Sequence, residues 1–116
     1  MDLTKIENLF NEEINFNELK QNTINYIKNL LENYKDTFLI ECIDDLPEDM
    51  LFKDLDIEYK RTEIILNKDC KAKPSFRLVF KLINPITEDP LYIYEVEYNN
   101  SGEFSDEFLI DYYKSF

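Results

Sequence analysis

The sequence predicts an α+β fold: N-terminal helices packed on an antiparallel β-meander of three or four strands, followed by a C-terminal helix. Three observations carry that expectation. Apolar residues recur at helical spacing through the first third of the chain. Two strictly alternating segments, Ser75–Ile83 and Leu91–Tyr98, are joined by the turn-rich stretch Asn84–Pro90. Near the end, Ser105 stands before two acids and a short apolar pattern, as a helix cap does.

Residues 2–13 read as a first helix, with Leu3, Ile6, Leu9 and Phe10 on one side. Asp2 or Thr4 is placed to cap it, Thr4 with Glu7 three residues on. A second helix follows. Asn15 stands as its N-cap, Glu18 at the third position, and Ile14 opposite Leu19 as a staple. Phe16, Leu19, Thr23, Ile24, Ile27, Leu30, Leu31 and Tyr34 form its apolar stripe, which is expected to pack on the sheet. Thr37–Ile43 is short, β-branched and aromatic. It reads as a first strand in preference to the tail of the second helix, because Lys35-Asp36 gives a polar break.

The following stretch, Asp44–Asp56, is a loop punctuated by Pro47, with room for one helical turn around Met50–Leu55. Ile57–Leu66 reads as a strand leading into the hairpin, with Leu66, Ile64 and Thr62 facing Phe76, Leu78 and Phe80. That alignment sets Arg61 opposite Lys81, an unfavourable pair of like charges.

The hairpin register follows from its chemistry. With Asn84 opposite Pro90, the residues Leu82, Phe80, Leu78 and Phe76 face Tyr92, Tyr94, Val96 and Tyr98. On the reverse face Arg77 then meets Glu97, and Val79 meets Glu95. A slip of one residue would invert every side chain and set acids against phenylalanines. Beyond the hairpin, Gly102 sits where a turn needs positive φ. Ser105 then caps the expected C-terminal helix, with Asp106 and Glu107 in its first turn and Phe108, Leu109, Tyr112 and Phe116 along its apolar face.

A chain of 116 residues is expected to form a single α+β domain, 1–116. Its 44% hydrophobic and 15% aromatic content sets it apart from disordered chains despite a net charge of −12. The opening MDLTKIEN has acids where a signal peptide needs bases, so none is expected, and no run of about 20 apolar residues is present. The expectation is a cytoplasmic protein in which Cys42 and Cys70 remain free thiols. Abundant Asn, Ile, Lys and Tyr with little Gly or Ala suggests an AT-rich bacterial genome.

Charge is unevenly distributed. Lys60–Lys81 holds seven bases against two acids, whereas Glu41–Glu58 holds eight acids and one base. A sequence pI near 4.3 argues against nucleic acid and against anionic membranes as partners. It suits a basic protein, since complementary charge speeds encounter and orients docking.

The chain lacks histidine, which removes the commonest general base and zinc ligand and rules out Cys–His and Ser–His–Asp sites. One glycine cannot build a phosphate-cradling loop. The acidic loop lacks the ligand spacing of an EF-hand, so a weak calcium or magnesium site is only a lesser reading. No cofactor, no metal and no catalytic residue are expected.

By size, acidity and missing catalytic equipment, the chain resembles the small acidic α+β immunity proteins that neutralise bacterial toxins. The resemblance implies a non-catalytic inhibitor that occludes a basic, nuclease-type toxin. The expected contacts are Asp44, Asp45, Glu48, Asp49, Asp54 and Asp56 in the acidic loop, with Glu95, Glu97 and Glu103 as further exposed acids. The alternative is a structural or assembly domain, a homodimer or complex subunit, joined through the second sheet face of Ile65, Val79, Ile83, Leu91 and Ile93.

Overall fold

The computed structural model of the chain describes residues 1–69 and 72–114. Two α-helices, α1 (Leu3–Glu13) and α2 (Phe16–Glu32), precede a four-stranded antiparallel sheet. Its strands β1 (Asp56–Ile65), β2 (Ser75–Ile83), β3 (Pro90–Tyr98) and β4 (Phe104–Asp111) lie side by side in chain order. The α+β class and the meander are as the sequence predicts.

Asp2 caps α1 by accepting from the backbone N–H of Thr4 and Lys5. Asn15 acts differently from a side-chain cap. It adopts a left-handed conformation with φ of 51°, which stops α1, and its amide donates to Glu18 at 2.7 Å. α2 buries Thr23, Ile27 and Leu31 against the sheet. Leu19, Ile24, Leu30 and Tyr34 pack around them, so the predicted stripe is the packed face.

The opposing layer is the aromatic side of the sheet. Phe76, Leu78, Phe80 and Leu82 of β2 and Tyr92, Tyr94, Val96 and Tyr98 of β3 are all buried there. The observed pairs Leu82–Tyr92, Phe80–Tyr94, Leu78–Val96 and Phe76–Tyr98 are the predicted ones, as are Arg77–Glu97 and Val79–Glu95. Only the hairpin end departs from expectation. Ile83, not Asn84, faces Pro90, because a bulge takes up Leu91. Asn84 instead turns the chain, its Oδ1 accepting from the N–H groups of Ile86 and Thr87.

Three expectations are overturned. Thr37–Ile43 is not a strand: Phe38–Asp45 winds as a 3-10 helix, begun by Thr37, whose hydroxyl accepts from Leu39 N–H. Its apolar residues do not alternate: Leu39 is buried and Cys42 and Ile43, three and four positions on, pack against the same core, which is a helical spacing.

The register of β1 is shifted by two residues from the predicted one, with Ile64 facing Phe76 and Thr62 facing Leu78. A bulge between Tyr59 and Arg61 absorbs Lys60. Glu58 thereby faces Lys81 and Glu63 faces Arg77, opposite charges where the predicted register opposed two bases.

The C-terminal helix is replaced by β4, followed by a 3-10 turn at Tyr112–Lys114. Ser105 is a bulge residue there, not a cap, and Phe108 and Leu109 point to opposite faces. The predicted contribution of Phe116 lies outside the described residues.

Candidate functional site

Both ends of the sheet are defined by the pairings. Asp56, Ile83, Pro90 and Asp111 mark one end; Ile65, Ser75, Tyr98 and Phe104 mark the other. The loop running into β1 and the β2–β3 hairpin therefore share the first end. Asp44, Asp45, Glu48, Asp49, Asp54, Asp56, Glu88, Asp89 and Asp111 gather towards it, and all are exposed. The basic loop with Lys68 and Lys73 lies at the second end. The strongly acidic sequence thus folds into a molecule with an acidic pole and a more basic one.

The acidic loop is held to the core by its apolar residues. Leu39, Leu46, Phe52 and Leu55 are buried. The Phe52 ring sits between Tyr34 of the chain after α2 and Tyr92 of β3, with centroids 5.7 and 6.3 Å away. Burying a phenylalanine contributes on the order of 2–3 kcal/mol, and Phe52 holds the loop together with the buried Leu39, Leu46 and Leu55. Asp54 accepts from Leu51 N–H at 2.9 Å and closes the turn. Between this loop and α2 lies a cleft of about 670 Å³, lined by Lys28, Glu32, Lys53, Asp54 and Asp56 among others.

Among the described residues, ion pairs involve only Arg61 and Arg77, so none of the six loop acids is paired. No group of three or more metal-ligating side chains among the described residues could hold a cation. What the pole offers is a field of unpaired carboxylates on a fixed backbone.

The acids close to Tyr92 act on it directly. Burial, reinforced by Asp45, Cys42 and Asp111, pushes the Tyr92 hydroxyl up to about 12 from its ordinary 10.0. Burial, with Asp45 and Glu41 adding to it, likewise raises the Cys42 thiol. Cys42 is a free cysteine, and Cys70 lies outside the described residues.

The three remaining predicted contacts do not join this surface. Glu95 is buried at 7% exposure and Glu97 is only partly exposed, contrary to expectation. Both are drawn onto Arg77, at 3.5 and 2.9 Å, and the guanidinium lies 4.4 Å from the centre of the Phe108 ring. A cation placed between two acids and an aromatic face binds them more tightly than solvent would. Glu103 is exposed, but it belongs to the β3–β4 turn at the opposite end.

The second sheet face is also less open than expected, since Val79 and Ile93 are buried. The turn Tyr112–Lys114 packs against β3, and the Tyr112 ring lies 6.0 Å from the Lys60 ammonium of β1.

Glu107 and Asp111 are acids whose placement the sequence did not reveal. Glu107 accepts hydrogen bonds from Tyr26 of α2 and Tyr94 of β3 on the helix side of the sheet. Asp111 joins the acidic pole only because β4 is a strand. Their partners lie far away in sequence, so no local pattern marks them.

No helix among the described residues is long and apolar enough to cross a membrane. No family model, no curated protein and no solved structure matches the chain.

Proposed function

We propose that the protein is a non-catalytic, acidic binding protein that occludes a basic protein surface with its acidic pole. In its most concrete form it is a cytoplasmic bacterial immunity protein that neutralises a nuclease-type toxin. The observation that carries this reading is the gathering of unpaired acids at one end of the sheet, on a loop anchored by Phe52. Anchoring matters because a preformed charged surface docks without the cost of ordering a loop. The acids speed encounter with a basic site, and the partly buried Met50 and exposed Leu51 among them supply apolar contact.

Affinity capture from the producing cell is expected to retrieve a basic protein whose binding weakens as salt rises. Converting Asp44, Asp45, Glu48 and Asp49 to their amides should slow association at least tenfold at low salt. Binding indifferent both to salt and to those substitutions would overturn the electrostatic mechanism.

A second reading, an assembly domain, draws on α1. That helix buries no residue and leaves Leu3 at 70%, Ile6 at 45% and Leu9 at 60% exposure. Self-association through α1, in place of the largely covered sheet face, would appear as a dimer in light scattering. Replacing Leu3 and Leu9 with glutamine would abolish that dimer. A strict monomer at high concentration removes this reading.

A further inference from the structure

β4 is an edge strand, with β3 on one side and no strand on the other among the described residues. Between Asp106 and Asp111 its pairing with β3 runs without a bulge. Natural edges are usually blunted by bulges, prolines or charges; over that run β4 has neither bulge nor proline, and its charges are all acidic, so they oppose an acidic strand and not a basic one. The other edge, β1, carries both a bulge and the bases Lys60 and Arg61. The N–H of Glu107 donates to Asp106 Oδ1 at 2.8 Å, on the side of β4 away from β3. Antiparallel pairing alternates, so the backbone groups of Glu107, Leu109 and Asp111 face outward.

Alongside this edge runs a groove of about 470 Å³, walled by Phe38, Cys42, Phe108, Leu109 and Ile110. Phe38 is 44% exposed, an apolar wall open to solvent. The groove is rimmed by acids. Asp106 and Asp111 are exposed on β4, and Glu41 and Asp45 flank Cys42. Its one base, Arg77, is already taken by Glu95 and Glu97.

We propose that the open edge of β4 is a docking edge for an extended segment of a partner protein, alternating basic and apolar residues, that adds to the sheet as a fifth strand. Apolar side chains on one side of such a strand would fill the groove beside Phe38 and Leu109, while lysines or arginines meet the acidic rim. Charge decides the occupant. A second copy of this chain pairing antiparallel through β4 about Leu109 would set Glu107 opposite Asp111, and the net charge of −12 on each copy adds to that like-charge repulsion. This inference rests on the reading that the partner is basic, and it assigns the contact to one edge.

The test is an NMR titration of the full chain with a short peptide alternating lysine and valine, at low and high salt. The amides of Glu107, Leu109 and Asp111 are expected to shift and to exchange more slowly with solvent. N-methylating every second residue on the peptide edge that pairs should weaken binding at least tenfold, and methylation on the other edge should not. That control leaves the protein untouched. Asp106→Asn combined with Asp111→Asn keeps both oxygen acceptors and should weaken binding roughly two- to tenfold at low salt only. Shifts confined to Asp44–Asp56, or indifference to N-methylation, overturn the edge while leaving the acidic pole as the binding surface. A peptide that fails to bind at millimolar concentration also overturns the edge. Failure to bind any basic protein would overturn the wider reading separately.

Discussion

Arg77 donates its Nε–H to Glu97 across the β2–β3 pair at 2.9 Å, and its Nη1 stands 3.5 Å from Glu95. The pair holds together the face of the sheet turned away from the helices. Arg77→Met keeps much of the side-chain stem but leaves Glu95 buried without its cation. Breaking a fully buried pair costs roughly 3–5 kcal/mol, and the 28% exposure of the Arg77 side chain reduces that to about 2–3 kcal/mol. Urea denaturation should show this loss, with a substantially smaller one for Arg61→Met, whose pair with Glu63 is exposed. Equal losses would mean that Arg77 is not the centre of a buried network.

Glu107 joins α2 to the sheet through Tyr26 and Tyr94. Tyr94 is fully buried, so Glu107→Ala strands its hydroxyl at a cost of about 1–3 kcal/mol. Adding Tyr94→Phe removes the stranded group and should recover on the order of 1 kcal/mol. The double variant is therefore expected to be more stable than Glu107→Ala alone, a non-additivity that a double-mutant cycle measures directly. Simple additivity would mean that the hydroxyl finds another partner or water once the carboxylate is gone.

The same residues mark how far the sequence could be read. Arg77 and Glu97 were legible as a pair because β2 and β3 alternate cleanly and only one register matches charge with charge. β4 was not legible. Its helix-facing side carries Glu107, Leu109 and Asp111 and its other side Asp106, Phe108 and Ile110, so neither side reads as apolar. Glu107 is tolerated there because tyrosines 13 and 81 residues away donate to it, and tertiary contacts override a local pattern that resembles a helix start. The β1 bulge was equally hidden, since one extra residue leaves no mark in the alternation. Of the nine proposed contacts, the loop acids fell together, Glu103 fell at the far end, and Glu95 and Glu97 turned inward to a base that the sequence had already placed beside them.

Alkaline pH should destabilise the protein through its buried tyrosines. Between about pH 10 and about pH 12 the unfolded chain has lost the Tyr92 proton and the folded chain keeps it. The folded state then binds more protons than the unfolded one, so stability falls as pH rises. The stabilisation is complete below about pH 10, and each such tyrosine contributes a slope of at most ~1.4 kcal/mol per pH unit. Burial also raises Tyr94, helped by Glu107, and Tyr98, where the Thr23 hydrogen bond opposes the shift. Urea melts at rising pH, followed with tyrosinate absorbance, should show the decline steepening above about pH 10, and Tyr92→Phe should make it shallower. A flat profile through that window would show that these hydroxyls ionise as freely in the fold as outside it.

Ser75 begins β2 opposite Ile65, and its hydroxyl is buried without a hydrogen-bond partner among the described residues. A buried polar group left unpaired costs about 1–3 kcal/mol, whereas a methyl group in the same place costs nothing of that kind. Ser75→Ala removes the hydroxyl oxygen, keeps the Cβ and leaves no void larger than that oxygen. It is therefore expected to leave stability unchanged or to raise it by up to about 1 kcal/mol. A nearby position gives the contrast: Thr23→Val removes a hydroxyl that is 2.6 Å from the Tyr98 hydroxyl and 2.7 Å from the Leu19 carbonyl, and should destabilise by about 1–2 kcal/mol. Denaturant midpoints of the two variants should move in opposite directions, or Ser75 should stay still while Thr23 falls. A clear loss in Ser75→Ala would reveal that the hydroxyl is engaged with solvent or another group, and that the end of the sheet beside the basic loop is more polar than its burial implies.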